Sequence, residues 1–579
     1  MKANRIKSSG AGSLFIIAAL FIGIYIAIAS LQNNFAFLNY DYAKTNGFFM
    51  AWIAGAEFQS YIWKVFLLMP AVILCSVALA RIGFHFTLPE QMNDKVVIGS
   101  ILTVAAIILI FSTQFIFHET EVTDDEDTYD FQAQTILAGR IVNPPPPVIN
   151  NFRNVFIINN GSCWVGKYTL GHPLVIAFGM LFGNRYIGII GISILTLFLI
   201  YCIVKELYGD KKLALLTLCL AAVSPFFYLV SSSRLSHTTT AFFLALFMYL
   251  FLRVRRMDNI NVKMLFSVAA GLSVGYALNT RTLTAIGFAL PFVVVVVRDA
   301  MKNPPKNLLS YYMMGIGFLA TVAIMLWYNI KVTGNPMQFP FHYYSPAEEV
   351  SFGAYGHTPL LGVKNFTVNL FRLNVSLFGF PLSLLFVFFI FFTRKDNRDN
   401  FLLSIFGSFA LFYFFYYSPG VSDLGPIYYY EMIIPLLILS ARGIFAVIEF
   451  LSKYSIEGKT IVYAFLLLSC LGAWSTYVPE KIRHVDHLTT QIREPYEVVK
   501  SSNIHHAVVL IQQLPNKGWV FGYRSTSPLL TDDIVYCRYA DTVSNNALAQ
   551  YYSDRNLYVL QYDEKAGKSE LIPMNRSKL

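Results

Sequence analysis

Asp124, Asp125, Glu126 and Asp127 form an unbroken acidic run a few residues beyond an apolar stretch, 96–117, that is long enough to cross a bilayer. A carboxylate kept ionised at a membrane surface can take a proton from an attacking hydroxyl. Residues 128–140 predict how the run is held. They read as a short amphipathic helix with Tyr129, Ala133, Ile136 and Leu137 on one face and Gly139 just past its end. The acids then stand at the helix N-terminus, where the dipole favours negative charge. The competing reading is a solvated acidic loop with one capping residue, and the rest of the chain decides between the two.

The elements that must position these acids follow from composition. The chain has 579 residues, of which 55% are hydrophobic, 16% aromatic and 13% charged. That is too apolar for a soluble protein and too long for one span, so the class is a polytopic α-helical membrane protein. Apolar runs start around Ser13, Tyr61, Val96, Asn184, Leu213, Ser236, Met264, Leu283, Leu308, Phe371, Phe401, Glu431 and Thr460, giving about 13 transmembrane helices. The runs at Met264 and Leu283 are short. The first run follows Lys2, Arg5 and Lys7 and is too long for a signal-peptide core, so it reads as a retained helix.

With the N-terminus cytoplasmic, Lys205/Lys211/Lys212, Arg253/Arg255/Arg256/Lys263, Arg298/Lys302/Lys306, Arg394/Lys395/Arg398 and Arg442/Lys453/Lys459 all fall on the cytoplasmic side. The net charge of +10 is thus a matter of topology, spread over short loops, and no nucleic-acid partner is expected. The acidic run, the loop over 332–370 and the last hundred or so residues face outward by the same alternation. Cys163 and Cys537 share that outer side, where a disulfide is chemically allowed. No Cys/His spacing resembles a structural zinc site.

Two more outer stretches carry chemistry. Residues 161–174 include Trp164, Lys167, Tyr168, Gly171, His172 and Pro173, and lead into an apolar segment too short to span, expected to be interfacial or re-entrant with Trp164 and Tyr168 in the headgroup layer. Residues 418–431 end in Tyr428, Tyr429, Tyr430 and Glu431, read as an interfacial aromatic belt with an acid at a helix N-terminus that caps it or grips a sugar. The long aromatic loop with Phe339, Phe341, His342, Tyr343 and Tyr344 is expected to act as a lid.

The pattern Asp125-Glu126-x-x-Tyr129-x-x-x-Ala133-x-x-x-Leu137-x-Gly139, the Lys167-Tyr168-x-x-Gly171-His172-Pro173 stretch and the many-helix body resemble the GT-C superfamily of polyprenyl-phosphate-sugar-dependent glycosyltransferases. Within it the chain is most similar to the bacterial branch related to aminoarabinose lipid A transferases and protein O-mannosyltransferases. The likeness covers roughly 96–477. It implies a catalytic Asp after the first core helix, interfacial helices in that loop and a lipid-linked sugar bound from the outer leaflet. The chain departs from the usual layout by placing two helices, near Ser13 and Tyr61, before the motif's own.

The chemistry of the residues agrees with that resemblance. Sugar transfer from a lipid phosphate needs one base for the acceptor hydroxyl and cations for the departing phosphate, whereas a glycoside hydrolase generally needs a second carboxyl as acid. Asp125 matches the first acid of the family's pair and is expected to be the base, with Glu126 orienting a hydroxyl or capping the helix and with Asp124 and Asp127 solvated. Arg281 and Arg234 lie in outer turns and suit phosphate through a planar donor fork, with snorkelling to headgroups as the ordinary alternative. Lys167 and His172 are comparable, His172 equally a helix-entry residue. Tyr129, His237, Tyr343, Tyr428 and Glu431 are expected to bind substrate. No metal ligands are assigned, and a divalent cation is left open as a cofactor.

After Tyr477, the runs 508–511, 534–537 and 557–560 read as buried strands and 545–552 as a helix, a small extracytoplasmic α/β domain. The organisation expected is thus 1–95 for two N-terminal helices, 96–477 for the catalytic body with its outer catalytic loop at 118–183, and 478–579 for that domain. The function expected is an inverting glycosyltransferase of the cytoplasmic (inner) membrane, moving a sugar from a polyprenyl-phosphate donor to an extracytoplasmic glycan, lipid or protein. A lipid or solute transporter or flippase is the alternative, disfavoured because the polar groups gather in outer loops instead of at mid-membrane. A non-catalytic scaffold is the third.

Overall fold

The computed structural model describes residues 10–34, 62–84, 93–302, 307–393, 396–454, 457–515 and 522–576. Lys2, Arg5, Lys7, Lys306, Arg394 and Lys395, used above for orientation, lie outside them. Hydrocarbon offers no partner to a backbone N–H or C=O, so each apolar run folds as a helix. The helices in order are α1 (Ala11–Asn34), α2 (Met69–Arg81), α3 (Asp94–Phe115), α4 (Asp124–Leu137), α5 (Gly171–Leu181), α6 (Tyr186–Tyr208), α7 (Lys211–Ala222), α8 (Pro225–Ser231), α9 (His237–Val254) and α10 (Ile260–Leu278). They continue as α11 (Thr282–Ala300), α12 (Leu308–Thr333), α13 (Pro340–Tyr344), α14 (Pro359–Ser376), α15 (Leu385–Ile390), α16 (Asn397–Phe414), α17 (Ile433–Ser452), α18 (Gly458–Ser475), α19 (Tyr477–Ser501) and α20 (Thr542–Tyr551).

Among the described residues ten helices are long and apolar enough to cross a membrane, eleven if α7 and α8 form one span bent by 58° at their junction. The thirteen runs read from sequence shrink for local reasons. Ser224 and Pro225 break the run near Leu213, the Ser224 hydroxyl accepting from the Phe227 N–H at 3.3 Å to start α8. The run near Phe371 is interrupted after Ser376 by a turn with Gly379 and Leu382 in the left-handed region, leaving only six residues in α15. The helix near Phe401 opens on Asn397, Arg398, Asp399 and Asn400, too polar a first turn to count. The short runs at Met264 and Leu283 do qualify, as α10 and α11.

Small residues decide the closest helix crossing. A Cβ on Gly271 would lie 1.9 Å from the Met314 carbonyl, one on Gly275 1.7 Å from Thr321 Oγ1, and one on Gly317 2.3 Å from the Val268 carbonyl. The backbones of α10 and α12 therefore touch through a Gly-x-x-x-Gly face, a packing device of helices that lack a hydrophobic driving force between them. At one end of the bundle Asp299 collects Arg255, Lys302 and the Tyr311 hydroxyl, and Asp399 collects Nε and Nη2 of Arg442 at 3.0 Å each and the Tyr208 hydroxyl at 2.7 Å. The acidic helix α4, the hairpin of β1 (Ile157–Asn159) with β2 (Trp164–Gly166), and the smaller hairpin of β3 (Val421–Ser422) with β4 (Gly425–Pro426) are at the other.

The chain after Tyr477 folds as α19 followed by a four-stranded sheet of β5 (Ala507–Ile511), β6 (Ile534–Arg538), β7 (Asn556–Asp563) and β8 (Lys568–Pro573) in the order β6-β5-β7-β8, with only β8 antiparallel. The three strands expected are present, and β8 is an addition. Alternation gives the sheet two buried faces. Val508, Leu510, Val535, Cys537, Leu557 and Val559 pack with Phe131, Phe152 and Trp164 of the first outer loop, while Val509, Ile511 and Leu560 pack with Val499 of α19. Trp164 is consequently 3% exposed and lies against the Phe131 and Phe152 rings at 4.8 and 5.5 Å, not in the headgroup layer as expected. Cys163 and Cys537 are both buried and free.

The α10–α12 crossing gives the first test. Gly271→Ala should lower the thermal unfolding midpoint of the purified protein, by overpacking worth about 1–3 kcal/mol, while Gly315→Ala on α12, whose added Cβ meets nothing within 4 Å, should not. Equal midpoints for the two variants would show that the helices do not meet at Gly271.

Candidate functional site

The turn that delivers the acidic run is strained. His118 and Glu119 have φ of 51° and 52°, consecutive left-handed residues that are not glycine, a conformation costing on the order of 1–3 kcal/mol each. The surroundings hold it: His118 contacts Asp486 of α19 at 2.6 Å, the Glu119 carbonyl accepts from Arg234 at 3.1 Å, and the Glu119 carboxylate accepts from Asn184 at 2.9 Å.

Successive helical residues point about 100° apart, so the four acids radiate in different directions. Asp124 accepts from the Gly522 N–H at 2.9 Å, and Asp127 from the Ser525 N–H at 2.9 Å and its hydroxyl at 2.7 Å. Both tie α4 to the C-terminal domain, Asp124 buried and Asp127 half-buried, where a solvated loop was expected. Glu126 is fully buried, one oxygen accepting from the Val122 N–H at 3.1 Å and the other from the Arg234 N–H at 2.9 Å, which fastens the helix start and leaves it no path to a substrate. Asp125 is half-buried and receives the Tyr168 hydroxyl.

Around Asp125 lies a chain of contacts that gathers several of the expected residues. The Tyr168 ring lies 4.7 Å from that of Tyr129, and Tyr129 donates to Ser236 Oγ at 3.1 Å. Arg281 donates to the same oxygen at 3.2 Å, sits 5.0 Å from the Tyr428 ring centre, and brings Nε to 3.9 Å from Glu431. His237 Nδ1 is 3.1 Å from Glu431, and both His237 Nε2 and Arg281 Nε are buried with no hydrogen-bond partner among the described residues. Glu431 lies inside the short 3-10 turn Ile427–Met432 and is fully buried, so it is the charge partner of Arg281 and not a helix cap. Tyr429 and Tyr430 are also buried, Tyr430 bonded to Ser231 at 2.7 Å, and form no interfacial belt.

Lys167 approaches from the hairpin side. Its ammonium pairs with Glu348 at 3.1 Å and lies 4.0 Å from the Phe156 ring centre, and Tyr416 donates to Glu348 at 3.3 Å. Gly171 permits this: a Cβ there would lie 2.2 Å from Thr280 Oγ1, and its N–H donates to the Asn279 carbonyl at 3.1 Å, so the Lys167 segment abuts the turn that carries Arg281. Tyr343 is 36% exposed, its hydroxyl accepting from Asn160 at 2.8 Å.

Two expected phosphate ligands are elsewhere. Arg234 is 1% exposed and is surrounded by Glu121 at 3.3 Å, Asp130 at 3.2 Å and the Tyr186 hydroxyl, with Arg524 of the C-terminal domain sharing Glu121 at 3.4 Å. Burial alone would raise the Glu121 carboxyl, but Arg524 and Arg234 hold it down to about 2. His172 has both ring nitrogens engaged, by Thr239 at 2.8 Å and the Arg234 carbonyl at 2.6 Å, and burial pushes it down to about 4, so it stays neutral. His172 nonetheless borders the contact chain, its ring edge-on to that of Tyr129 at 4.7 Å. Leu137, expected on the packed face of α4, is 42% exposed. Glu348 and Tyr416 were missed by sequence reasoning, although an acid inside an aromatic outer loop was a visible signal. Among the described residues no three His, Cys, Asp or Glu are grouped to hold a metal ion.

Comparison with known proteins follows the same outline. Residues 170–328 match the family model described as dolichyl-phosphate-mannose-protein mannosyltransferase. No curated protein matches the sequence. ArnT from Cupriavidus metallidurans bound to undecaprenyl phosphate is similar in structure with a TM-score of 0.53 at 11% identity, covering 82% of this chain and 94% of that one. The apo state of ArnT gives 0.48 at 12%, covering 84% and 99%, and the Archaeoglobus fulgidus oligosaccharyltransferase tethered to an acceptor peptide gives 0.41 at 13%, covering 80% and 69%. At these identities the likeness is one of fold, and the first comparison carries it.

Glu126 supplies a pH signature for the site's foundation. Burial pushes its carboxyl up to about 7 against the lowering by Arg234 and the N–H groups of Arg234 and Val122. An unfolded Glu titrates near ~4.3, below the folded value, so the stability linked to this proton is fully present below about pH 4 and is lost as pH rises through about 7. The unfolding midpoint should fall between about pH 5 and 8, and Glu126→Gln should flatten that fall. A parent midpoint that is level or rising over this window contradicts the assignment.

Proposed function

We propose that this chain is a membrane glycosyltransferase of the GT-C superfamily and that it transfers a sugar from a polyprenyl-phosphate donor to a hydroxyl of an extracytoplasmic glycan, lipid or protein, with inversion at the anomeric carbon. The observation that carries this reading is the joining of one half-buried carboxylate, Asp125, to one half-buried guanidinium, Arg281, through Tyr168, Tyr129 and Ser236. The similar ArnT structure is bound to undecaprenyl phosphate, which supports a lipid phosphate as leaving group here.

In this mechanism the acceptor oxygen attacks the anomeric carbon as Asp125 removes its proton, and the bond to the phosphate oxygen breaks with its electron pair leaving on phosphate. Tyr168 orients the base. Arg281, stacked beside Tyr428 and held by Ser236 and Glu431, meets the charge that builds on the phosphate. Lys167 adds a second cation, and donor binding exchanges its Glu348 partner for the phosphate. Glu431, itself in contact with His237, holds Arg281, and Tyr129, Tyr343 and Tyr428 offer hydroxyls and ring faces to the sugar. The site faces the outer side of the cytoplasmic membrane, a placement supported by the alternation of Lys and Arg along the chain. No step requires a metal ligand set.

Two substitutions test the reading. Asp125→Asn keeps shape and removes the proton acceptor, so transfer from a radiolabelled polyprenyl-phosphate sugar should fall by about 10²-fold or more, and near-parental turnover removes Asp125 from the mechanism. Arg281→Ala should weaken binding of undecaprenyl phosphate by about tenfold or more; an unchanged donor affinity in direct titration returns Arg281 to a structural role.

A further inference from the structure

A cavity of about 550 Å³ opens on the far side of the acidic run, between α4, α19 and the C-terminal sheet. That volume is in the range of sites for small ligands, roughly 300–1,000 Å³. Asp124 and Asp127, the neighbours of Asp125 in the run, form part of its floor, and Val155 and Tyr344 form the wall nearest the catalytic carboxylate. Behind that wall the Phe156 ring lies 6.2 Å from Tyr344 and 6.0 Å from Tyr168, whose hydroxyl is on Asp125. The cavity and the proposed catalytic base are thus separated by one aromatic layer.

The acids of the floor are occupied. Glu121 is shared by Arg524 and Arg234, Asp124 receives the Gly522 N–H, and Asp127 receives both polar groups of Ser525. The arginines of the rim are not. Arg153 and Arg538 are exposed, line the cavity, and neither guanidinium makes a hydrogen bond or ion pair among the described residues. They are brought together by the fold, since Asn151 donates to the Arg538 carbonyl at 3.0 Å and so fixes the 149–152 turn against the end of β6. Gln512 and Gln513 add amide donors and acceptors, and Tyr496 and Tyr523 add ring faces, the mixture by which hydroxyl-rich rings are bound.

We propose that this cavity is an acceptor site, and that it takes a saccharide bearing an anionic group, phosphate or carboxylate, held by Arg153 and Arg538. The proposal rests on the transferase reading above for the word acceptor, but the binding it describes does not depend on catalysis. Among the lining residues Glu121, Asp124 and Asp127 balance Arg524, Arg153 and Arg538 in formal charge, but the acids already accept hydrogen bonds from the protein while the Arg153 and Arg538 guanidiniums have donors to spare, and each charge-assisted hydrogen bond from them to an anion favours a charged sugar over its neutral counterpart. The C-terminal domain then selects the acceptor, because Arg538 belongs to β6 and Arg153 to the loop that β6 fixes.

The test uses the full-length purified protein and calorimetric titration with four probes: a neutral disaccharide, its 1-phosphate, a disaccharide ending in a uronic acid, and inorganic phosphate. At least one anionic disaccharide should bind about tenfold or more tighter than the neutral one, and the other arm tells phosphate from carboxylate. Arg153→Ala with Arg538→Ala should abolish that preference, Arg538→Gln alone should reduce it, and undecaprenyl phosphate should bind all of them as it binds the parent. The proposal is overturned if the neutral sugar binds as tightly as both anions, if the double variant keeps the preference, or if inorganic phosphate alone binds as tightly as the sugar phosphate. A failure of the transferase reading would appear instead in the Asp125 and Arg281 variants, with this preference intact.

Discussion

A buried ionic lattice supports the end of the molecule that carries Asp125. Arg234 lies between Glu121 and Asp130 with almost no exposure, Arg524 reaches Glu121 from the C-terminal domain, Arg185 reaches Asp130 from the start of α6, and Glu126 takes the Arg234 N–H. Charges so deeply placed are tolerable only when each is paired, and removing one partner of such a set typically costs about 3–5 kcal/mol. Its net contribution to stability is therefore modest, but its geometric demand is strict. The lattice joins the strained turn at His118 and Glu119, the acidic helix, α6, the turn before α9 and the C-terminal domain, and only with all of them seated does Asp125 face the Tyr168 hydroxyl.

Much of the helical body was legible in the sequence because apolar length is a one-dimensional signal. The acidic helix was read with its Gly139 stop, and three of four strands of the C-terminal sheet were visible as short β-branched runs. The breaks within runs were less legible. Ser224-Pro225 is a local stop signal that an apolar average conceals, and the Gly271-x-x-x-Gly275 face shows its purpose only when Met314 and Thr321 lie against it.

The candidate site was legible by residue type and not by partner. Arg234 and Arg281 look alike in sequence, each in a polar turn between spans, yet one is spent on Glu121 and Asp130 while the other meets Ser236 and Tyr428. The same holds for the four acids, which are consecutive and so must diverge around the helix. Which of them is left to meet Tyr168 depends on Gly522 and Ser525, some four hundred residues away. No local pattern reports a contact of that separation.

The glycine crossing of α10 and α12 has a mechanical meaning for the chemistry. Tyr328 of α12 donates to the Tyr168 carbonyl at 3.0 Å, and Asn279, at the end of α10, donates from its side chain to the Thr321 carbonyl of α12 at 3.0 Å and accepts from the Gly171 N–H through its backbone. The partner of Asp125 and the turn bearing Arg281 are therefore bolted to one slab, in which backbone meets backbone at Gly271 and Gly317 and the Thr321 side chain fills the space over Gly275. The slab behaves as a caliper locked at one opening. The spacing between Asp125 and Arg281 is therefore set by the backbones of the crossing, ahead of any side chain that surrounds them.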